Sequence, residues 1–300
     1  MNLIQFMGAL EIGLLYGLVG IGVLLSFRIL DFPDLTVDGS FPLGAAVCAI
    51  LIVEDVNPWI ATFCAILAGM AAGLTTAWIS VRWNILNLLA SILTMTALYS
   101  INLRIMGRSN IALLGEETIF RPLESSSYSL LYTKPIAMFV VAGVVLVLIY
   151  RFLSSEKGLA MRATGANPRM AKAQGIAINR QILFGISLSN GLVALAGALF
   201  AQGEGFADVT LGSGTIIVGL AAVIVGEAFF NPKVIFTALI ACVVGSIFYR
   251  LTVAMALNAG FLGTQSSDLN LVTAILVGIA MITPKLRAKI LDFKAARNSA

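Results

Sequence analysis

Only 11% of the 300 residues are charged and 59% are hydrophobic, with a mean hydropathy of +0.97. Soluble domains carry about 25% charged residues, so this composition excludes a water-soluble fold and places the chain in a bilayer. The chain has no histidine, which excludes Ser-His-Asp and Cys-His catalysis and any histidine-ligated metal.

A helix needs about 20 mostly apolar residues to cross the hydrocarbon core. Nine candidate spans follow in chain order, near 8–27, 41–55, 58–81, 85–106, 135–153, 181–202, 214–230, 233–256 and 268–283. No Lys or Arg precedes the first apolar run, so it reads as a spanning helix rather than a secretory signal. The second and seventh spans look short, as broken or tilted helices would. Cys48, Cys64 and Cys242 lie in separate apolar stretches without CxxC spacing and read as small buried hydrophobes.

Orientation follows from the basic residues of short loops. Segment 151–180 holds Arg151, Lys157, Arg162, Arg169, Lys172 and Arg180 against Glu156 alone, and the tail holds Lys285, Arg287, Lys289, Lys294 and Arg297. Both are expected on the cytoplasmic side. Loop 107–134 mixes Arg108, Arg121 and Lys134 with Glu116, Glu117 and Glu124 and is expected outside. Nine spans then give an external N-terminus and a cytoplasmic C-terminus. The net charge of +4 is therefore topological and calls for no nucleic acid.

Between the first two spans, DFPDLTVDGS places Asp31, Asp34 and Asp38 in an apolar setting, with Pro33, Gly39 and Pro42 expected to break the helix. Sliding the sequence by 174 residues lays Ile12–Thr36 over Ile186–Thr210 without a gap, with nine identical pairs of 25. Phe32, Asp34 and Thr36 fall on Phe206, Asp208 and Thr210, and Asn57-Pro58 on Asn231-Pro232. Five spans separate the copies. An odd number inverts one copy relative to the other, the arrangement that transporters use to build a path at the repeat interface. The halves are about 8–106 and 182–283, within one transmembrane domain. FPDLTV and FADVTL are then equivalent interruptions, one near each end of a translocation path, with Gly203, Gly205, Gly212 and Gly214 loosening the second. The plainer alternative is a pair of interfacial loops whose carboxylates cap helices, with Asp38 or Ser40 as N-cap of the helix that follows. Phe32 and Phe206 could stack on a ligand, plug a gate or simply pack. Gly13-x-x-x-Gly17 and Gly69-x-x-x-Gly73 have the spacing that lets membrane helices approach closely. Glu11 and Glu227 are expected to pair with a neighbouring helix or to hydrogen-bond in the core, and Arg104 to snorkel outward.

The cytoplasmic loop 154–180 contains EKGLAMRATGANPRMAKAQGIAINR. Asn167-Pro168 starts a short helix that Gly175 can end. Its small residues suit insertion into a groove of a partner, with basic side chains at the rim. An Ala-rich loop ending in Gly-Ile between two spans resembles the coupling loop of ABC importers. GLAMRATGANPRMAKAQGI is similar to that loop in permeases of the branched-chain amino acid and ribose type. GLLYGLVGIGVLLSFRILDFPDLTVDGSFPLGAA and GLVALAGALFAQGEGFADVTLGSGTIIVGLAAVIVGE match the same family, and the subgroup most resembled is the tryptophan/tyrosine type. The three aspartates of the first interruption depart from the branched-chain branch.

The resemblance implies a multi-pass permease of the bacterial inner membrane, an all-α protein that moves a small solute, an amino acid or related compound, inward. It implies a homodimeric or paired permease, two cytoplasmic ABC ATPase subunits docked on Gly165, Arg169, Ala171, Lys172 and Gly175, and an extracytoplasmic solute-binding protein. Phe32, Asp34, Thr36, Phe206, Asp208 and Thr210 are the pathway candidates, and Glu116, Glu117 and Glu124 the candidates for docking the binding protein. The chain has no GxxxxGK[ST], so it cannot cradle nucleotide phosphates as a P-loop does; ATP and Mg are expected on the separate ATPase, with no cofactor or metal in this chain. An ion-coupled secondary transporter would share the inverted repeat and the buried carboxylates but not the coupling loop. A membrane-embedded enzyme would have to work from aspartates alone, and no paired spacing suggests one.

Overall fold

The computed structural model describes residues 2–121, 130–230, 232, 234–258 and 278. Helix α1 (Leu3–Val23) runs on through a π-helical segment (Leu24–Ile29), and after an irregular stretch come α2 (Val37–Val53), α3 (Pro58–Trp83) and α4 (Asn87–Met106). A strand β1 (Asn110–Ala112) precedes α5 (Leu130–Leu153) and two short helices, α6 (Glu156–Ala166) and α7 (Pro168–Ala173). Then follow α8 (Ile178–Glu204), β2 (Phe206–Asp208), a 3-10 turn (Val209–Gly212), α9 (Thr215–Phe230) and α10 (Ile235–Asn258).

Eight of the nine expected spans coincide with these helices; the ninth, 268–283, and the basic tail lie outside the described residues. Among the described residues, seven helical segments are long and apolar enough to cross a membrane. The two spans that looked short are short: α2 has 17 residues, and α9 has 16, lengthened to 22 by the preceding 3-10 turn. At 1.5 Å per residue α2 covers about 25 Å, less than the roughly 30 Å hydrocarbon core.

The sequence places the start of α2 too late. The helix begins at Val37, with Thr36 at its N-cap position, and takes in Gly39 and Pro42. Proline at the sixth helical position has no N–H to give the carbonyl four residues back, so the Asp38 carbonyl is left free of the ladder. Gly212 of the 3-10 turn comes against that carbonyl, so closely that a Cβ would collide with it. Gly203 likewise lies inside α8, and the break follows only at Gly205, which takes a left-handed φ of 78°.

The centre of the bundle is α1 with α8. Every residue from Gly13 to Val23 is buried. Helix α10 packs on α1 and α3 packs on α8. Both crossings are made by the expected small residues. A Cβ on Gly69 would lie 2.6 Å from the Asn190 carbonyl, and one on Gly13 would lie 3.0 Å from the Ile247 Cα. At such approach serine hydroxyls reach the opposite backbone: Ser187 Oγ donates to Met70 O at 2.8 Å and Ser246 Oγ to Gly13 O at 2.7 Å. With no water in the hydrocarbon, association rests on this packing and on such bonds.

The interhelical contacts repeat at the offset found in the sequence. Gly219 meets Val23 and Gly197 meets Ala45. Residue 219 stands 174 after 45, and 197 stands 174 after 23, so each contact maps onto the other by that offset. By the same offset α1 answers to α8 and α3 to α10.

Two features were not legible as elements. Residues 156–166 form a helix of their own, and the stretch after α4 forms a short antiparallel ribbon in which Asn110 pairs with Asp208 and Ala112 with Phe206. Residues 107–121 are thereby tied down: Phe120 is buried and the Ile119 N–H donates to Gln202 Oε1 at 3.0 Å.

Gly69→Val should destabilise the protein by about 1–3 kcal/mol or more by overpacking α3 against α8. Gly143→Ala on α5, where nothing lies within 4 Å of an added Cβ, should leave stability unchanged. Thermal unfolding of both variants in one detergent checks the contrast.

Candidate functional site

The two interruptions share a local turn and differ in surroundings. In the first, the Thr36 N–H donates to Asp34 Oδ1 at 2.9 Å; in the second, the Thr210 N–H donates to Asp208 Oδ1 at 2.7 Å. Both are turns in which an aspartate accepts from the backbone two residues on.

Asp34 and Thr36 are fully buried. Asn190 of α8 donates to Asp34 Oδ2 at 2.6 Å and accepts from Ser40 Oγ at 2.7 Å, and Thr36 Oγ1 meets Thr76 Oγ1 at 2.8 Å. One asparagine thus clasps the irregular stretch to α2 and α8, and one threonine ties it to α3. Irregular backbone at membrane depth must be satisfied by protein, and this network does so. Phe32 is buried beside it. Asp208 and Thr210 lie instead at the surface, where Asn110 Nδ2 donates to Asp208 Oδ2 at 3.2 Å. Partial burial pushes the Asp208 carboxyl up, but the hydrogen bonds from Thr210 and Asn110 outweigh it and hold it below the ordinary aspartate value. Phe206 is half-buried and meets Phe200 edge to face at 6.0 Å, the end of a row that runs through Phe41 to Tyr16, with the Arg250 guanidinium 4.5 Å over the Tyr16 ring.

What joins the interruptions is Asp38. Its Oδ1 accepts from the Ile216 N–H at 2.7 Å and its Oδ2 from the Gly214 N–H at 3.4 Å. Asp38 is therefore a cap, as the plainer reading of the sequence allowed, but of α9 and not of its own helix. Beside this joint lies a cavity of about 300 Å³ bounded by Asp38, Pro42, Met95, Tyr99, Asn102 and Ser213, among others.

At the far end of the π-helical segment, α6 and α7 form a small hairpin. Asn167 caps α7 by accepting from the Met170 N–H at 3.1 Å, with Pro168 in the first turn. Gly175, with φ 79°, ends it: its N–H reaches Lys172 O and the Ile176 N–H reaches Ala171 O, the double bond of a Schellman close. Gly165 lies flush on the Ile29 carbonyl, where a Cβ would collide. Arg169 and Lys172 are exposed, Met170 is 63% exposed, and Ala171 is turned inward.

A family model for the permease component of branched-chain amino acid transport systems matches residues 6–284. The chain belongs to that family. It is 38% identical over 273 residues to a tyrosine transport system permease protein of Clostridioides difficile (strain R20291), covering 91% of this chain and 89% of the relative. It is 34% identical over 281 residues to an uncharacterized protein of Rickettsia prowazekii (strain Madrid E), covering 92% and 96%. Among solved structures it resembles PsaBC from Streptococcus pneumoniae in complex with Fab, with a TM-score of 0.53 at 17% identity over 92% of this chain and 89% of that one. A putative metal-chelate type ABC transporter in an inward-facing conformation gives 0.50 at 17% identity, over 93% and 85%. These two likenesses concern the fold alone.

The chain is thus the permease component of an ABC transporter, a multi-pass subunit of the bacterial cell membrane and not itself an enzyme. The permease does not bring its six expected pathway residues together: Phe32, Asp34 and Thr36 sit inside the clasp, and Phe206, Asp208 and Thr210 sit on the ribbon and its turn. Of the five expected coupling residues, Arg169 and Lys172 point out and Gly175 forms the exposed closing turn, while Gly165 and Ala171 seat the hairpin. Glu116 and Glu117 edge a cavity of about 460 Å³ with Asp55, Asn57 and Arg121; Glu124 lies outside the described residues. Glu227 does pair, with Arg28 Nε at 2.9 Å. The sequence reading missed Asn190 and Asn102, whose polar side chains inside apolar helices were the available signal. It also passed over Met170, which the basic residues around it overshadowed.

Asn190→Leu removes the donor to Asp34 and the acceptor from Ser40 while keeping volume. Stability should fall by about 1–3 kcal/mol, the cost of stranding buried polar groups. Thermal unfolding that matches the parent would show the clasp to be without structural weight.

Proposed function

We propose that this permease is the membrane-spanning subunit of an ATP-driven importer that carries an amino acid or related small solute into the cytoplasm. Two copies would assemble with two cytoplasmic ABC ATPase subunits, which hold ATP and Mg, and an extracytoplasmic binding protein would deliver the cargo. The observation that carries this reading is the α6–α7 hairpin: a capped helix with Arg169, Met170 and Lys172 exposed, seated backbone to backbone on Ile29 through Gly165. A push on such a hairpin reaches the end of the first membrane helix without passing through a flexible side chain. The amino acid cargo is supported by the family and by the 38% identical tyrosine transport permease.

The halves 8–106 and 182–283 are read as inverted repeats, with the N-terminus outside and the hairpin in the cytoplasm. The exchanged contacts Val23–Gly219 and Ala45–Gly197, and the shared Asp-x-Thr turn, support that reading. The half-buried Glu116 and the exposed Glu117 would then face the delivery protein.

Reconstituted with its ATPase and binding protein, the permease should accumulate labelled L-tyrosine or another apolar amino acid only when ATP is supplied. Arg169→Glu with Lys172→Glu should cut that uptake and the associated ATP hydrolysis by roughly tenfold or more, since reversed charge at a docking rim costs about 1.4 kcal/mol for each tenfold. Uptake that runs on an ion gradient without ATP would instead identify an ion-coupled carrier.

A further inference from the structure

The α6–α7 hairpin does not fill the space beside its seat. Between α6 and the end of the π-helical segment lies a cleft of about 580 Å³, lined by Phe27, Arg28, Asp31, Leu159 and Arg162, among others. Arg28 pairs with Glu227 through Nε, and its side chain is 68% exposed, so the rest of its guanidinium remains available. Arg162 and Asp31 line the same cleft with opposite charges, yet they stand too far apart to pair. Among the described residues neither side chain has a hydrogen bond or an ion pair. Asp31 also takes a left-handed φ of 52°, which few residues other than glycine adopt and which Asp and Asn adopt most readily. A carboxylate is thus held on one wall at some backbone cost, the kind of strain that clusters at ligand clamps.

The charges of the cleft balance. Arg28 is offset by Glu227 and Arg162 by Asp31, so the cleft as a whole favours neither a simple anion nor a simple cation. It fits a molecule that carries both charges, with its anion toward the guanidinium groups and an N–H cation toward Asp31. Position narrows the class. Ile29 is the last residue of the first membrane-spanning segment, Leu3–Ile29, so the cleft lies where a span meets the headgroups. Leu159, 56% exposed, stands one turn before Arg162 on α6, and Phe27 adds an aromatic wall. Apolar side chains beside a basic one suit the boundary between acyl chain and headgroup. Basic pockets between membrane helices are a recurrent place for lipid headgroups.

We propose that this cleft is a binding site for a phospholipid with a primary ammonium, phosphatidylethanolamine. Its phosphate accepts from Arg28 and Arg162, its ammonium donates to Asp31, and the glycerol end of its acyl chains lies against Leu159 and Phe27. Phosphatidylglycerol lacks the ammonium, and the methylated nitrogen of phosphatidylcholine has no N–H to give. The lipid bridges α6 and the end of the first span, beside the contact of Gly165 with the Ile29 carbonyl that seats the hairpin. The site belongs to the permease alone and needs neither the ATPase nor the cargo, so it can stand or fall separately from the importer reading.

The test uses the full chain carrying Ala166→Cys, at the exposed rim of the cleft, in a Cys64→Ser background; Cys48 and Cys242 are buried. Ala173→Cys, exposed on α7 and outside the cleft, is the control. Initial rates of labelling by a small maleimide are read in lipid nanodiscs of phosphatidylcholine alone, mixed equally with phosphatidylethanolamine, and mixed equally with phosphatidylglycerol. Phosphatidylethanolamine should slow labelling at position 166 by about threefold or more, as occupancy of roughly two thirds requires, and leave position 173 unchanged. Asp31→Asn, whose amide tolerates the left-handed backbone, should abolish the difference between phosphatidylethanolamine and phosphatidylcholine. Arg162→Gln should return the rate toward that in phosphatidylcholine. Both side chains are exposed, so neither variant empties the core. Equal rates at position 166 in the two lipids overturn the proposal. So does equal slowing at position 173, equal protection by phosphatidylglycerol, or protection that survives both variants. O-phosphoethanolamine, the free headgroup, is added to phosphatidylcholine discs as a last arm. Protection by it as full as that by the lipid would make a soluble zwitterion the occupant and overturn the assignment; weaker protection or none supports the lipid.

Discussion

The carboxylate of Asp38, held by the backbone N–H groups of Ile216 and Gly214, ties the start of α2 to the start of α9. In hydrocarbon there is no water to satisfy a broken helix, so any interruption must be completed by protein. That demand explains several residues together. Pro42 withholds an N–H and frees the Asp38 carbonyl, Gly212 has no side chain and can lie against it, and Asp38 itself supplies the acceptor that the first turn of α9 lacks. On the other side of α2, Asn190 and Thr76 complete the stretch that precedes it.

These bonds define a continuous route. The α6–α7 hairpin sits on Ile29 through Gly165, Ile29 leads into the clasped stretch from Leu30 to Thr36, and that stretch leads into Asp38 and so into α9. Every link is backbone or a short polar side chain. Under the proposed coupling, a displacement at the hairpin would be passed along this route rather than absorbed. The helices at the crossings are held by glycine contacts that leave no room for gradual slippage, which favours discrete arrangements over continuous bending.

The bundle was legible in the sequence because membrane spans announce themselves by length and hydropathy alone; the helix from Pro58 and the one from Asn87 appear within a few residues of expectation. The hairpin's caps were equally readable, since Asn167, Pro168 and Gly175 act locally. The start of α2 was not. Pro42 reads as a breaker by itself, and the close approach of Gly212, 170 residues away, to the carbonyl that Pro42 frees cannot be seen in the local sequence. Asn190 and Asn102 were missed for a related reason: a single asparagine in an apolar helix gains its meaning only from what faces it. The difference between Asp34 and Asp208 was also hidden. Their sequence neighbourhoods match, and only packing by α3 and α8 buries the first while the ribbon leaves the second at the surface.

Transmission from the α6–α7 hairpin to Asp38 is the central claim. It is tested most directly in the complete complex by following maleimide labelling of a cysteine at position 213 with the ATPase nucleotide-free and with ATP trapped by vanadate. The labelling rate should change when the ATPase closes, and the change should vanish when Arg169 and Lys172 are reversed in charge. A rate indifferent to nucleotide, in a complex that still hydrolyses ATP and accumulates cargo, would contradict the account.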